Sequence, residues 1–372
     1  VHPTASELGE AYRGRGVFVT GHTGFKGAWL TTWLRQLGAN VTGYALDPDT
    51  TPALFDELAL SADCSDIRAD VRDSTRLADA VREANADYVF HLAAQPLVRR
   101  SYDEPLETLS TNVMGTAHLL EAVRQARRPC AVVVVTSDKC YENDGSGRPM
   151  SEGDAMGGHD VYSMSKGATE LVVSSYRRSF FSPSHLGEHG VALASARAGN
   201  VIGGGDWARD RILPDAISAL AAGKPVPVRN PAATRPWQHV LEPLGGYLLL
   251  GARLLQGSNP LRASFCDGWN FGPDPEGSRP VREVVTSVLA NWGAGTWEDR
   301  SDPSAHHEAP VLSLAIDKAQ KQLNWRPRWD FSETIRRTVA WYRAQHDAPD
   351  GKGLRSLSES QITDYMRATG EA

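Results

Sequence analysis

Tyr162 and Lys166 stand four residues apart in Tyr162-Ser-Met-Ser-Lys166, which on a helix puts both on one face, one turn apart. A free phenol has a pKa near 10, so about one in a thousand is ionised at neutral pH. An ammonium about 4 Å away, in an effective dielectric near 20, is worth on the order of 4 kcal/mol, nearly three pKa units. Such a shift makes tyrosine a working base at pH 7. The Y-x-x-x-K spacing alone arises often by chance. It gains weight from Thr136-Ser137-Asp138-Lys139, which ends a short apolar run. There Ser137 can share a substrate hydroxyl with Tyr162, while Asp138 and Lys139 set an acid and a base side by side.

A third chemical feature comes earlier. Gly21-His-Thr23-Gly24-Phe25-Lys-Gly27 follows the apolar run Val17-Phe-Val-Thr20 and precedes Trp29, Leu30, Trp33, Leu34 and Leu37 at helical spacing. In a strand–turn–helix, Gly21 permits the tight turn, Gly24 lets a diphosphate approach the backbone, and Gly27 lets the helix pack closely. The helix N-terminus then offers N–H groups and partial positive charge to phosphates. The acidic residue for an adenosine ribose is less defined. Ala45 falls near the expected position, and Asp47 either reaches the ribose or opens the Asp47-Pro48 turn. This site by itself leaves NAD and NADP both open.

The elements that must position these groups alternate. Strands are predicted at 17–20, 40–46, 67–69, 88–92, 131–136 and 191–198. Helices are predicted after Gly27, from a Ser74 N-cap to Asn85, over 109–127 and over 161–179. That order predicts an α/β fold with a doubly wound parallel Rossmann sheet, ligands gathering at the carboxyl ends of the strands. Beyond Gly203 glycine, proline and tryptophan become frequent and the elements shorten. The expected organisation is an N-terminal extension (1–16), a dinucleotide-binding domain (17–202) and a smaller substrate-binding lobe (203–337) interleaved with it. A C-terminal helix and tail (338–372) complete it.

Composition narrows the classes. The 372 residues are 41% hydrophobic and 23% charged, a globular mixture. A net charge of −6 argues against nucleic-acid or anionic-membrane partners, which need a clustered positive field. Cys64, Cys130, Cys140 and Cys266 have no CxxC spacing, and no apolar run approaches the roughly 18 residues that span a bilayer. A cytoplasmic protein with reduced thiols is expected. His306-His307 is a poor metal motif because adjacent residues rarely ligate one ion, so no metal is expected.

Several blocks carry a resemblance. The glycine turn, His91-Leu-Ala-Ala-Gln95, Thr111-Asn-Val-Met-Gly-Thr116 and Tyr162-xxx-Lys166 resemble the extended short-chain dehydrogenases. GHTGFKG (21–27), TSDKCYEN (136–143), AMGGHDVYSMSKG (155–167), RAGNVIGGGDWARDR (197–211) and RPWQHVLEPLGGY (235–247) are similar to the CDP-glucose 4,6-dehydratases. The match runs over nearly the whole chain. Lys139 after the aspartate, where dTDP- and GDP-sugar dehydratases usually have glutamate, is the CDP-type pattern. Val161 in place of a common proline, and Pro310-Val311 after the histidines, depart from it.

The resemblance implies NAD as cofactor, a nucleotide sugar (CDP-glucose favoured) as substrate, and a homodimer or homotetramer built on the helices near 109–127 and 161–179. Ser137, Asp138, Lys139, Tyr162 and Lys166 would be catalytic. Gly21, Thr23, Gly24, Phe25, Gly27, Asp70, Val71, Leu92, Ala93 and Ala94, with Tyr162 and Lys166, would line the cofactor. Gln95, Asn200, Trp207, Arg211 and Arg235 would hold the substrate, arginine through forked charge-assisted hydrogen bonds. The implied chemistry is C4 oxidation, loss of water across C5 and C6, and hydride return to C6. The alternatives are a dehydratase or 4-epimerase acting on another CDP- or NDP-linked sugar and a non-catalytic NAD-binding regulator; the epimerase needs only Tyr162 and Lys166, the regulator neither. The Asp138-Lys139 pair separates the first, and the intact catalytic set the second.

Overall fold

The computed structural model describes residues 5–143, 145–301, 313–348 and 350–368. Seven parallel strands form the central sheet: β1 (Gly16–Thr20), β2 (Asn40–Ala45), β3 (Ser65–Arg68), β4 (Tyr88–His91), β5 (Cys130–Val135), β6 (Val191–Ala198) and β7 (Gly268–Phe271). Their order is β7-β6-β5-β4-β1-β2-β3. The chain reverses direction across the sheet between β1 and β4, which opens a crevice at the carboxyl ends where such folds bind ligands.

Both faces of the sheet are covered, so the strands read as continuous apolar runs that divide by alternation. Along β5, Ala131, Val133 and Val135 enter one core cluster, while Cys130, Val132 and Val134 enter the other. The first face carries α1 (Ala5–Tyr12), α2 (Phe25–Gln36) and, from the later region, a helix at Leu241–Leu255. The second carries α3 (Ser74–Ala84), α4 (Gly115–Ala126) and α5 (Val161–Ser179). Residues 5–12 are packed rather than trailing: Tyr12 is fully buried, donates to the Leu248 carbonyl at 2.7 Å and stacks near Tyr88. Gly246 of the Leu241–Leu255 helix faces Phe271 so closely that a Cβ would lie 2.3 Å from its ring.

Three expectations about local structure are corrected. The cap of α3 is Asp73, whose carboxylate accepts from the Arg76 N–H at 3.0 Å, and Ser74 is already helical. The long helix expected over 109–127 is interrupted by a π-helical turn at Ser110–Met114, with α4 beginning at Gly115. Asn112 turns inward there: its amide oxygen accepts from Gln95 N–H (2.8 Å) and its amide nitrogen donates to the Gln95 carbonyl (3.1 Å). Local interruptions of this kind are enriched at functional sites. The C-terminal region holds two helices, α6 (Phe331–Asp347) and α7 (Leu354–Arg367), not one. The histidine pair 306–307 lies outside the described residues.

The later region reaches back over the crevice. Short strand pairs (201–202 with 238–239, 234–236 with 278–280, 226–228 with 297–299) frame it. Tyr342 of α6 donates to the Asp206 carbonyl at 2.6 Å, tying the C-terminal helices to the 203–211 loop. No helix among the described residues is long and apolar enough to cross a membrane.

Candidate active site

The glycine turn is built by contacts no side chain could survive. Gly21 has φ +75°, and a Cβ there would lie 2.7 Å from the Ala93 nitrogen. At Gly27 a Cβ would lie 2.0 Å from the Gly21 carbonyl oxygen, so this glycine sets how closely α2 meets the turn. Gly24 is different: it is exposed, its Cβ position meets only the Gly21 oxygen at 3.5 Å, and it faces the crevice. Gly24 is the N-cap residue of α2 with no side-chain cap, which leaves the first N–H groups of the helix for an anion. Thr23 donates to the Leu46 carbonyl at 3.0 Å and so pins the turn to the end of β2. These residues fit a dinucleotide diphosphate.

The reacting end is assembled from β5 and α5. After β5, Thr136 and Ser137 lead into a short 3-10 turn at Asp138–Cys140. Ser137 Oγ donates to Asp138 Oδ1 at 2.9 Å and accepts from Lys139 N–H at 3.2 Å. Asp138 is 3% exposed, and its Oδ2 has no hydrogen-bond partner among the described residues. A buried carboxylate oxygen left open beside a cavity is costly unless a ligand completes it. Asp160 caps α5, accepting from Ser163 N–H (2.9 Å) and Ser163 Oγ (2.6 Å), which places Tyr162 in the first turn. Asn112 donates to Ser165 Oγ at 2.9 Å, so the π turn braces the same helix. Tyr162 and Ser137 are hydrogen-bonded. Ser137, Asp138, Lys139, Tyr162 and Lys166 therefore converge on one cavity.

The electrostatics correct one expectation. Burial pushes the Tyr162 phenol up to about 12, the Ser137 hydrogen bond and Arg211 pull it down, and Asp138 and Asp160 oppose them. Burial also lowers Lys166 to about 8. Desolvation penalises each charged form and outweighs the stabilisation expected from helical spacing. A phenol in this setting needs further positive charge before it works as a base at neutral pH.

The cavity has a volume of about 1010 Å³ and runs from the glycine turn past the β5 tip to Arg235. All the residues expected along a cofactor line it: Gly21, Thr23, Gly24, Phe25, Gly27, Asp70, Val71, Leu92, Ala93 and Ala94. The Asp70 carboxylate is held by Arg72 through its backbone N–H and guanidinium, both at 2.8 Å. Asn200, Arg211 and Arg235 line the other end, Arg211 paired to Asp206 at 2.7 Å. Two expected substrate residues touch the cavity with their polar atoms already committed. Gln95 donates to the Leu97 carbonyl (3.0 Å) and Thr108 Oγ1 (2.9 Å) and accepts from Leu97 N–H (2.6 Å). Trp207 donates to Glu57 at 3.0 Å and packs its ring on Trp341 and Tyr342.

Sequence reasoning passed over Lys26. It lines the cavity from the head of α2 and is lowered to about 8, by burial and then by the charges of Arg211 and Lys166. A lysine inside a phosphate-binding glycine turn was the available signal. Among the described residues no cluster of His, Cys, Asp or Glu is placed to hold a metal.

Comparison with known proteins gives a consistent picture. The family model described as GDP-mannose 4,6 dehydratase matches residues 18–250, more than half of the chain. The CDP-glucose 4,6-dehydratase of Salmonella typhimurium is 48% identical over 362 residues, covering 96% of this chain and 98% of that one. The dTDP-glucose 4,6-dehydratase of Streptomyces antibioticus is 31% identical, covering 74% and 76%. Among solved structures, DesIV, a dTDP-glucose 4,6-dehydratase from Streptomyces venezuelae with NAD and TYD bound, shares the fold (TM-score 0.72, 24% identity, 90% and 99% covered). MoeE5, in complex with UDP-glucuronic acid and NAD, is 27% identical (TM-score 0.72, 88% and 99% covered). The chain belongs to the nucleotide-sugar 4,6-dehydratase family.

Proposed function

We propose that this protein is an NAD-dependent CDP-glucose 4,6-dehydratase, a hydro-lyase that forms CDP-4-keto-6-deoxyglucose. The observation that carries the reading is Asp138, whose buried Oδ2 is open beside the Ser137–Tyr162 pair. Oxidation at C4 alone has no use for such a carboxyl; expelling the C6 hydroxyl does. The near full-length likeness to the Salmonella typhimurium enzyme supports the CDP sugar.

NAD⁺, when bound at the glycine turn, supplies the hydride acceptor for C4 and the donor for C6, and its positive ring favours the tyrosinate as Arg211 does. Asp47 favours the unphosphorylated dinucleotide. Its side chain is 88% exposed at the cavity, while its partner Arg68 is also held by Asp66 at 2.8 Å. Arg68 is thus committed to two carboxylates rather than open to a 2′-phosphate. Tyr162 takes the C4 hydroxyl proton, assisted by Lys166 one helical turn away and with Ser137 hydrogen-bonded to the phenol. A ketone at C4 acidifies the C5 hydrogen, and Lys139, or a group it activates, removes it. Asp138 gives its proton to the departing C6 hydroxyl, which leaves as water. Tyr162, Asp138 and Lys166 are all buried, which keeps bulk water from the intermediates. Asn200, Arg211 and Arg235 hold the nucleotide and its diphosphate.

A panel of CDP-, dTDP-, UDP- and GDP-glucose with added NAD⁺ tests this. CDP-glucose should give the alkali-induced absorbance of a 4-keto sugar and outpace the others by at least about tenfold, the value of one well-placed hydrogen bond to the base. A C4 epimer as the product, or equal rates across the panel, would overturn the reading.

Self-association belongs to the same proposal. Leu106 (79% exposed), Met114, Met164 and Leu171 (60%) are exposed on the helical stretch 105–126 and on α5, an unusual set of large apolar groups for bare surface. Light scattering should give two or four times the chain mass of 40.4 kDa, and a monomer mass would refute it.

A further inference from the structure

Three residues on α5 share one face at successive intervals of four: Tyr162, Lys166 and Glu170. The first two belong to the proton-transfer chemistry above; Glu170 does not. It is 4% exposed and makes three short contacts. Its Oε1 accepts from Thr136 Oγ1 at 2.5 Å, and its Oε2 accepts from Ser195 Oγ at 2.7 Å and Arg197 Nη2 at 2.8 Å. Arg197 Nη1 donates to the Tyr141 hydroxyl at 2.6 Å, and that hydroxyl donates to Asn270 Oδ1 at 2.7 Å. Thr136 and Tyr141 bracket residues 137–140. The network grips both ends of the turn that carries Ser137, Asp138 and Lys139 and ties it to the helix that carries Tyr162 and Lys166. It also crosses β5, β6 and β7, the strands beneath.

We propose that Glu170 is a positioning residue for proton transfer: it clamps the β5 turn to α5 and supplies the negative charge that keeps buried Lys166 protonated. The inference rests on the catalytic reading given above. The groups that face Lys166 are Glu170 on its own helix, Cys140 beyond β5, His91 on β4 and Lys26 at the head of α2. Burial holds His91 neutral (about 3) and keeps the Cys140 thiol protonated, while Lys26 works against a second ammonium. Glu170 is thus the anion in that set. Burial pushes its own carboxyl up, but the charge of Arg197 and the hydrogen bonds from Arg197, Thr136 and Ser195 overcome this and hold it ionised. Burial in turn drives Lys166 down to about 8, and the Glu170 charge opposes that fall. Arg177, two turns along α5, also faces Glu170 and is a cation that Asp267 shares.

The test is the pH profile of kcat/KM, whose alkaline limb reports ionisations of the free enzyme. Wild-type turnover of CDP-glucose is measured first, so that failure of the catalytic reading shows there and failure of the Glu170 role shows only in the variants. In Glu170→Gln the alkaline limb should move about one pH unit toward acid, the low end for loss of a neighbouring charge. In Glu170→Asp, which keeps the charge but shortens the reach, the limb should stay while kcat falls. Removing one partner of a buried ion pair can prevent folding. If Glu170→Gln does not fold, Glu170→Gln/Arg197→Met removes both charges, and the limb should still move the same way because Glu170 acts on Lys166 and Arg197 is not among the groups that shift it. A limb that stays at its wild-type pH in the neutral variants, whatever happens to kcat, would reduce Glu170 to a packing role and overturn the proposal.

Discussion

Replacing Tyr162 by phenylalanine lowers kcat about 10³-fold or more and leaves NAD⁺ binding nearly unchanged, the loss set by general-base catalysis. The ring stays in its buried place, and only the hydroxyl that meets Ser137 is lost. In the proposed mechanism that hydroxyl takes the C4 proton. Its ordinary acidity is far too weak for the task, and burial weakens it further, to about 12. In the proposed mechanism the site therefore depends on positive charge around the phenol: Lys166, Arg211 and the nicotinamide ring of NAD⁺ once bound. Cofactor affinity, by contrast, is expected to come mainly from the glycine turn and the head of α2, which the substitution does not touch. Steady-state rates with CDP-glucose, together with NAD⁺ titration by protein fluorescence, check both halves. An unchanged rate would end the assignment of Tyr162 as base.

Asp138→Asn should split the reaction in time. The amide keeps the size of the side chain and its contact with Ser137, but it cannot deliver a proton to the C6 oxygen. Elimination should slow by about 10² to 10⁴-fold. C4 oxidation should not slow with it, because the uncharged amide matches the protonated acid in size and charge and leaves the Ser137–Tyr162 hydrogen bond in place. The reduced-nicotinamide absorbance should accordingly build up in a single turnover and decay slowly. The wild-type protein should show little or none. If the variant is slow and no absorbance appears, Asp138 acts before or during oxidation and is not the acid for C6.

Much of this architecture is legible in the chain itself. The bounds of α5 and β6 are read correctly, because Asp160 caps the one and the other is a buried, mostly apolar run broken only by Ser195 and Arg197. The strand–turn–helix at residues 16–36 is equally clear, since its glycines answer to steric demands that few other arrangements make. What escapes reading depends on contacts distant in sequence. The π turn at Ser110–Met114 exists because Asn112 finds both polar groups of the Gln95 backbone, which no local periodicity records. Gln95 and Trp207 look free to meet a sugar until Thr108 and Glu57 are seen to occupy them. The Tyr162 pKa escapes for a related reason: spacing along a helix gives proximity, but burial acts on both partners and is invisible in the string. Glu170 fell one helical turn beyond the familiar pair, and its meaning appears only when Thr136, Ser195 and Arg197 arrive from two strands.

The most direct test of the central claim follows a single hydrogen. With CDP-glucose deuterated at C4, one tyrosine–serine–aspartate centre working on one sugar should move that deuterium to C6 of the same molecule, while C5 takes up a proton from solvent. Mass spectrometry of the 4-keto-6-deoxy product should then find the label retained at C6. Deuterium back at C4 in an epimerised sugar, or lost to solvent, would contradict the account.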